Sequence, residues 1–443
     1  MNIQLSEHFT YKKLLRFTLP TIAMMIFTSI YSIVDGIFVS NFVGKTPFAA
    51  VNLIFPFVMV LSSVGFMLGT GGSAIVAKTM GEGQTDKAKR YFSMMVYVSL
   101  LLGIVLTILG EAVTGPVAAL LDAEGEMLEQ AILYARFLLL GLTPFILQTA
   151  FQSFLVTAER PNLGLALTVG TGLTNIVLDY LFIALFRWGV VGAALATDIS
   201  QMVGGLIPLF YFIYPNSSPL RLVPTKLELR PLRNACINGS SEMVSNLSTS
   251  LVSMLYNFQL IRLAGEDGVA AYGVIMYINF IFIGVFLGYA FGAAPIVAYH
   301  YGAGNHTELK NLFRKSMRLI GLSSITLTAL AILWAAPLSR IFVGYDAALL
   351  QLTIRGFRLY ALAFLIMGFN IFGSSFFTAL NNGLISAVIS FLRTFLFEIA
   401  AILLLPIFLD IDGIWLAIVV SELFAFAITG FFLVKERKRY QYL

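Results

Sequence analysis

Two carboxylic acids lie inside apolar runs of this sequence, where an ionisable side chain is costly and by default marks a functional site. Asp35 occurs in TIAMMIFTSIYSIVDGIFVS, and Asp179 occurs in GTGLTNIVLDYLF. Asn175 precedes Asp179 by one helical turn, so a helix places both side chains on one face. A carboxylate beside a carboxamide can share a proton or ligate a small hard cation. We therefore treat Asp35 and the Asn175–Asp179 pair as candidate functional groups.

Each of these groups also has a purely structural interpretation. Asp35 can be a satisfied carboxylate near the end of its run, and Asn175 with Asp179 can clamp two helices through hydrogen bonds. Asp198, in the next run, fits either role. Thr197 beside it carries no weight alone, because threonine commonly hydrogen-bonds the backbone of its own helix.

The second half of the sequence carries a different set of charges in its apolar runs, namely Glu242, Arg393 and Glu398. Arg393 and Glu398 are separated by more than one helical turn, which is unfavourable for a direct pair on one helix. Each is therefore expected to pair across helices, either in a structural ion pair or at a binding site. Glu242 is a candidate second proton carrier or a contact for a cationic substrate, and packing near the start of its helix is the alternative.

The composition identifies the elements that must hold these residues. Of the 443 residues, 58% are hydrophobic and 12% are charged, and the mean hydropathy is +0.88. Soluble domains carry about 25% charged residues, so the chain is a polytopic membrane protein. This excludes a cytosolic enzyme, a DNA-binding protein and a secreted disulfide scaffold. The single cysteine, Cys236, permits no disulfide within the chain. We expect no removable signal peptide before the first run.

Twelve apolar runs are long enough to cross a bilayer, for which a helix needs about 20 residues. The runs cover roughly residues 14–40, 50–77, 92–114, 130–156, 163–186, 190–214, 233–262, 269–298, 316–338, 352–379, 384–408 and 413–434. If the N-terminus is cytoplasmic, most Lys and Arg residues fall in the inner segments and few fall in the outer ones. This asymmetry satisfies the positive-inside rule. We therefore expect a multi-pass protein of the cell membrane with both termini in the cytoplasm.

An internal repeat divides the chain. The segment GGSAIVA at 71–77 aligns with GAAPIVA at 292–298. We call the constant spacing between such counterparts, from 71 to 292, the repeat offset. It holds without a gap from the first run to the sixth. We therefore expect an all-α fold of two parallel six-helix halves around a central cleft, related by an axis along the membrane normal. The predicted units are an N-lobe (1–214), a cytoplasmic linker (215–232) and a C-lobe (233–443). Duplicated halves around a cleft favour a transporter.

The repeat does not extend to the charged residues. The repeat offset pairs Asp35 with Tyr256 and Asp179 with Ala400. The sequence therefore predicts two halves that share a frame but not a cation site.

Taken together, these features resemble the multidrug and toxic compound extrusion (MATE) transporters, and within them the MepA-like branch of bacterial drug exporters. The resemblance rests on Asp35, on Asn175 with Asp179, and on three motifs. The motifs are GTGGSAIVAKTMGEGQTDKAKR at 69–90, its degenerate copy GAAPIVAYHYGAGNHTELKNLFRKS at 292–316, and GVVGAALAT at 189–197. The resemblance covers nearly the whole chain. It implies an antiporter that exports amphipathic, cationic drugs in exchange for H+ or Na+.

The resemblance also implies roles for individual residues. Asp35, Asn175, Asp179 and Thr197 match the family's N-lobe cation site, which is the expected site for Na+ if that is the coupling ion. Pro20 matches a first-helix proline proposed to govern helix bending. Glu242 resembles the seventh-helix acid of the NorM-like branch, but the tenth run (352–379) lacks the acid of that branch, so coupling is expected in the N-lobe.

The expected ligands are few. We expect no cofactor beyond the coupling ion, no other metal, no nucleic acid, contacts with membrane lipids and a monomeric chain. A lipid-linked oligosaccharide flippase of the same superfamily is the first alternative; it favours a basic cleft, whereas Arg393 is the only deep basic residue in the sequence. An intramembrane transferase is the alternative of another class, and it requires an acidic metal-binding cluster that the sequence does not contain.

Overall fold

Every apolar run of the sequence forms helix in the computed structural model, which describes residues 3–120 and 125–443. The helices of the first half are α1 (Tyr11–Phe42), α2 (Lys45–Gly81), α3 (Thr85–Leu120), α4 (Gly125–Leu140), α5 (Leu142–Thr157), α6 (Pro161–Asp179) and α7 (Gly189–Ile213). Those of the second half are α8 (Leu229–Gly302), α9 (His306–Val343), α10 (Ala347–Ala361), α11 (Phe364–Ala379), α12 (Gly383–Phe391), α13 (Glu398–Lys435) and the short α14 (Arg437–Tyr440). A π-helical turn follows α6 (Tyr180–Leu185), and another joins α12 to α13 (Leu392–Phe397).

These helices make twelve membrane spans in the described part of the chain. Eight helical segments are long and apolar enough to cross a membrane. Two bent pairs, α4 with α5 (56°) and α10 with α11 (48°), each add one span. Two of the eight segments hold two spans each, because the backbone leaves helical geometry at Gly265 in α8 and at Asp410 in α13. The twelve predicted spans are thus confirmed.

We number the spans 1–12 in chain order. Spans 1, 2, 3, 6 and 9 are the single helices α1, α2, α3, α7 and α9, and span 5 is α6 with its π turn. Spans 4 and 10 are the two bent pairs. Spans 7 and 8 are residues 229–264 and 266–302 of α8, and spans 11 and 12 are residues 383–409 and 411–435.

The repeat seen in the sequence reappears in the turns between spans. Gly44 and Gly265, which the repeat offset pairs, both have positive φ, and so do Gly83 and Gly304. At the third pair, the left-handed conformation of Gly189 (φ 60°) recurs at Asp410 (φ 47°). A non-glycine residue is strained there, so the second half keeps the turn of the first even where the residue type has changed. The chain is two parallel six-helix repeats.

The two halves are in close backbone contact toward the end of the bundle that carries both termini, which we call the terminal face. A Cβ atom on Gly71 of span 2 would collide with the backbone of Ala235 in span 7, and one on Gly239 would collide with Met67. Gly302 in span 8 lies equally close to the backbone of Lys78. Small residues therefore allow these helices to touch, and the seam between the halves is closed at this face.

Residues 3–10 cross the terminal face and join the two halves. The backbone N–H of Leu5 donates to Glu159, between spans 4 and 5, at 2.8 Å, and that of Phe9 donates to Glu308, at the start of span 9, at 2.9 Å. The second carboxylate oxygen of Glu308 lies 2.6 Å from His8 Nδ1. Burial raises the pKa of the Glu159 carboxyl, and Phe9 is fully buried. The segment thus ties a loop of the first half to a loop of the second.

Candidate functional site

The structure brings the two predicted acids of the first half together. Asp35 in span 1 and Asp179 in span 5 are direct electrostatic neighbours, with their carboxyl groups facing one another. Asp179 is fully buried, whereas Asp35 is partly buried. Both oxygens of Asp179 and Oδ1 of Asp35 are buried and have no hydrogen-bond partner among the described residues. The pair is therefore an acidic site without an internal counter-charge.

The position of Asp179 follows from the local helix. It is the last residue of α6, and the π turn Tyr180–Leu185 begins directly after it. Turns of this kind widen one helical turn and are frequent at functional sites. Asn175 is buried one turn earlier on the same helix face, and its Nδ2 also lacks a partner among the described residues. The carboxamide and carboxylate predicted to share a face therefore do so.

Tyrosines line the acidic site. Tyr134, which is buried in the bent span 4, is an electrostatic neighbour of Asp35, Asp179 and Asp198 together. Tyr31 lies one turn before Asp35 and close to it. Phenol groups in such positions can donate to a carboxylate, and their oxygen can be a ligand of a bound cation. Span 4 thereby connects the acid pair to span 6.

Asp198 lies beside this site but faces a different element. It is buried in span 6 and lies close to Gly141, at the bend between α4 and α5. A Cβ atom on Gly141 would collide with Asp198, so the bend and the acid fit only with glycine. Thr197 is partly buried, and only its backbone oxygen is engaged, by the Ser200 hydroxyl at 2.7 Å. Asp198 is thus placed to fix the bend of span 4, and the role predicted for Thr197 stays a prediction.

The chemistry of the acid pair follows from its charge. Two carboxylates at such proximity cannot both stay ionised in a dry site unless a cation lies between them. The pair therefore either holds a proton or binds a small cation, for which carboxylate and amide oxygens are suitable ligands.

Glu242 lines a separate cavity at the seam between the halves. The cavity lies near the terminal face and is lined by hydroxyl groups from both halves: Thr70, Ser73, Ser153, Ser375 and Thr378. Arg393 is a charged residue whose electrostatic effect reaches Glu242. The choice between a binding role and simple packing for Glu242 stays a prediction. Its position suits contact with a molecule that passes between the halves.

Arg393 pairs with a residue that the sequence analysis missed. Its Nε donates to Oε1 of Glu422 in span 12 at 2.8 Å, and the Glu422 side chain is only 1% exposed. The second oxygen of Glu422 accepts from Asn370 of span 10 at 2.6 Å. Glu422 lies in the run IWLAIVVSELFAF, so the rule that singled out Asp35 also identifies it. Arg393 therefore forms a structural ion pair across helices.

Glu398, by contrast, has no basic partner of its own among the described residues. Its neighbour is Tyr256 of span 7, whose buried hydroxyl faces the carboxylate without reaching ordinary hydrogen-bond geometry. Tyr272 stacks on Tyr256 at a ring distance of 4.7 Å. The strict repeat offset pairs Asp179 with Ala400 and so missed Glu398 as a counterpart. The π turn Leu392–Phe397 lies directly before Glu398, and it changes the angular position of the residues that follow.

Pro20 lies inside α1, which continues unbroken from Tyr11 to Phe42. Pro20 is buried where span 1 packs on span 8, between the points at which Thr18 touches Gly292 and Ile22 touches Gly288. A proline inside a helix removes one backbone hydrogen bond. Its predicted role in bending stays a prediction.

Comparison with known proteins assigns this architecture to one family. The MatE family model matches residues 20–181 and 243–403, once in each half. The multidrug export protein MepA of Staphylococcus haemolyticus is 25% identical over 343 residues, which cover 76% of this chain and 72% of that protein. MepA of Staphylococcus saprophyticus is 23% identical over 81% of this chain and 80% of its own length.

Solved structures share the complete fold. A MATE transporter in complex with MaL6 superposes with a TM-score of 0.93 at 24% identity and covers 98% of each chain. The outward-facing conformation of a multidrug resistance MATE family transporter of the MOP superfamily also gives a TM-score of 0.93 at 24% identity, over 100% of this chain and 99% of that one. At this level of identity the likeness shows the fold alone.

Proposed function

The chain belongs to the MatE family, the multidrug and toxic compound extrusion transporters, and from that premise we propose that it exports amphipathic, cationic drugs in exchange for H+ or Na+. It is a multidrug efflux transporter of the MepA-like kind rather than an enzyme. The coupling ion, the charge of the substrate and the alternating exposure of the cleft are parts of the proposal.

One observation carries the proposal, namely the unpaired acid pair of Asp35 and Asp179. Burying a pair of carboxylates without a basic partner is costly in free energy. Ionisable residues of this kind in a membrane span are by default a sign of function. All three buried oxygens of the pair lack a donor among the described residues, so the site suits an ion that comes and goes. Asn175 and Thr197 are the proposed additional oxygen ligands when that ion is Na+.

Coupling follows from competition for this charge. When the pair is ionised, its negative charge attracts a cationic drug in the cleft. When a proton or Na+ binds from outside, that charge is neutralised and the drug is held less tightly. The two ligands are then linked through a single free energy, and each weakens the binding of the other. A membrane potential supplies about 2.3 kcal/mol per charge per 100 mV to the exchange.

The closed seam at the terminal face supports an assignment of state. If both termini are cytoplasmic, as the loop charges predict, the backbone contacts around Gly71, Gly239 and Gly302 close the cleft toward the cytoplasm. The structure then corresponds to the outward-open state, in which drug leaves and the ion enters. Loss of these contacts would open the path from the cytoplasm, past Glu242, to the acid pair.

The experiment is ethidium transport in proteoliposomes of the purified protein, with a pH gradient and a Na+ gradient imposed separately. We expect one gradient to drive transport against the ethidium gradient, and Asp179→Asn to abolish that response. Asp86→Asn is the matched control, because the Asp86 side chain is 94% exposed and the change removes the same charge elsewhere.

Two results would overturn the proposal. Transport that does not respond to either gradient would exclude antiport as the mechanism. Lipid-linked substrates of the flippase class would then be the next to test. Gradient-driven transport that survives in Asp179→Asn and in Asp35→Asn would show that the ion binds elsewhere.

A further inference from the structure

We propose that Glu398 is a second proton-binding site, built in the C-lobe on the same frame as the Asp35–Asp179 site, with Tyr256 in the place of Asp35. The inference rests on the proposed function, because a second proton site matters only if proton movement is coupled to export. It gives the C-lobe a proton site, whereas the repeat offset alone predicts a cation site only in the N-lobe.

The first observation is the position of Tyr256. The repeat offset, which relates three turns of the two halves, pairs it with Asp35. Span 7 therefore presents Tyr256 to the interior of the C-lobe as span 1 presents Asp35 to the interior of the N-lobe. Asp35 meets an acid of span 5, and Tyr256 meets an acid of span 11, which is the repeat of span 5. Asp35 with Asp179 in the N-lobe and Tyr256 with Glu398 in the C-lobe are therefore equivalent pairs of oxygen-bearing side chains.

The second observation is the helix around each acid. Asp179 is the residue before one π turn, and Glu398 is the residue after the other. A π turn carries one residue more than an α-turn and rotates the side chains beyond it. This rotation explains why Glu398, rather than Ala400, faces the position of Tyr256. Both acids adjoin a widened turn, where backbone packing is least constrained.

The third observation concerns charge. Arg393 is committed to Glu422 at 2.8 Å, and Glu422 adds a second negative group near Glu398. Tyr272 of span 8 and Tyr360 of span 10 lie near Glu398 and are both buried. Among the described residues, the groups around Glu398 therefore leave one net negative charge uncompensated. A proton is the smallest ligand that removes it.

The buried hydroxyl of Tyr256 provides the fourth observation. It is 1% exposed, faces Glu398 and has no hydrogen-bond partner among the described residues. A protonated carboxyl group can donate to a phenol oxygen, and an ionised one can accept from the phenol. The hydroxyl can therefore serve both charge states of Glu398 without moving far. Glu398 itself is only partly buried, so its carboxyl group is not sealed inside the lobe.

The experiment counts protons. Purified wild-type protein in weakly buffered detergent solution is mixed with ethidium, and the protons released per bound drug are measured with a pH indicator across a range of pH. Linkage requires each coupled site to contribute to this count. We expect Glu398→Gln to release about one proton fewer than wild type at the pH of maximal release. Asp179→Asn should lose a separate contribution, and the double variant should lose both.

A spectroscopic signature separates proton binding from a structural role. In infrared difference spectra between acid and alkaline pH, we expect one component of the protonated-carboxyl band to disappear in Glu398→Gln and to persist in Tyr256→Phe and in Asp179→Asn. Glu398→Asp should restore the band and the released proton. If the thermal unfolding profile shows that Glu398→Gln is poorly folded, the two conservative variants Tyr256→Phe and Glu398→Asp carry the test, because each should shift the frequency of the Glu398 component, and an unshifted band in both would contradict the inference.

The outcomes are distinct. An unchanged proton count and an unchanged carboxyl band in well-folded Glu398→Gln overturn the inference while leaving the N-lobe mechanism intact. Absence of proton release from wild-type protein, with drug bound, overturns proton coupling as a whole, and the inference fails with it.

Discussion

Arg393 in span 11 and Glu422 in span 12 form an ion pair with an Nε–Oε1 distance of 2.8 Å, and their side chains are 13% and 1% exposed. Asn370 donates to the second oxygen of Glu422. The pair thus links three spans of the C-lobe. Because Arg393 is paired with Glu422, neither Glu242 nor Glu398 has an ion-pair partner of its own among the described residues.

Removing one partner of this pair should destabilise the protein strongly. Glu422→Leu leaves a buried guanidinium without its acceptor, which typically costs about 3–5 kcal/mol. The double variant Arg393→Met/Glu422→Leu should recover most of that loss, because it removes both charges. Thermal unfolding of the purified variants in detergent is the measurement. The exposed pair Arg355–Asp412 is the control, since Arg355→Met should cost less than about 1 kcal/mol. Equal loss in the single and double C-lobe variants would contradict the argument.

Neutralising either acid of the N-lobe pair should abolish export without unfolding the protein. Asp35→Asn and Asp179→Asn keep the shape of the side chain and remove the charge that the ion and the drug share. We expect loss of drug resistance in cells, with membrane insertion and thermal stability retained or raised, since a buried unpaired charge is costly. Resistance at the wild-type level in both variants would exclude the N-lobe pair as the coupling site.

The sequence predicted the frame of this site more fully than its contacts. Span length follows from bilayer thickness, and the repeat follows from one unbroken register between the halves, so both can be read from residue order alone. Asn175 and Asp179 share a face because of helical spacing. The contact between Asp35 and Asp179 was predicted only by the family resemblance. Residue spacing does not predict it, because the contact depends on how two helices that are distant in sequence pack.

The C-lobe shows why register alone is insufficient. The repeat offset pointed to Ala400, and the structure placed Glu398 beside Tyr256, because a π turn intervenes. Hydropathy does not show an inserted residue within a turn. Glu422, the partner of Arg393, is a different case. It is an ionisable residue within the last apolar run, so the sequence alone is sufficient to identify it as a candidate.

Glu242 should affect some substrates more than others. It lines a small cavity between the halves, apart from the N-lobe acid pair. Glu242→Gln removes a negative charge that a cationic drug contacts in passing and leaves Asp35 and Asp179 unchanged. We expect transport of dicationic drugs to fall several-fold more than transport of monocations, measured as initial rates in proteoliposomes. Thr70→Val, a nonpolar change in the same cavity, is the control for packing. Equal loss across all substrates would indicate a coupling role instead.

The contacts of Glu308 should hold the terminal face closed. This carboxylate accepts from the backbone N–H of Phe9 and from Asn311, and it lies 2.6 Å from His8. Glu308→Gln keeps the size of the side chain but removes its charge, and charge-assisted hydrogen bonds are roughly twice as strong as neutral ones. The segment 3–10 then holds the second half less tightly, so the equilibrium shifts toward opening at this face.

The opening can be measured as a distance between spin labels at Lys89 and Lys310, which the repeat offset pairs at the starts of spans 3 and 9. In a Cys236→Ser background, Lys89→Cys/Lys310→Cys should show one short distance that gains a longer component in Glu308→Gln. Gly239→Leu should produce the longer component more completely, because a side chain there collides with the backbone of Met67. Asp86→Asn, which alters an exposed acid on the same face, should leave the distribution unchanged. If Gly239→Leu keeps the short distance and full transport, the close packing of spans 2 and 7 is not the gate, and closure must depend on other contacts.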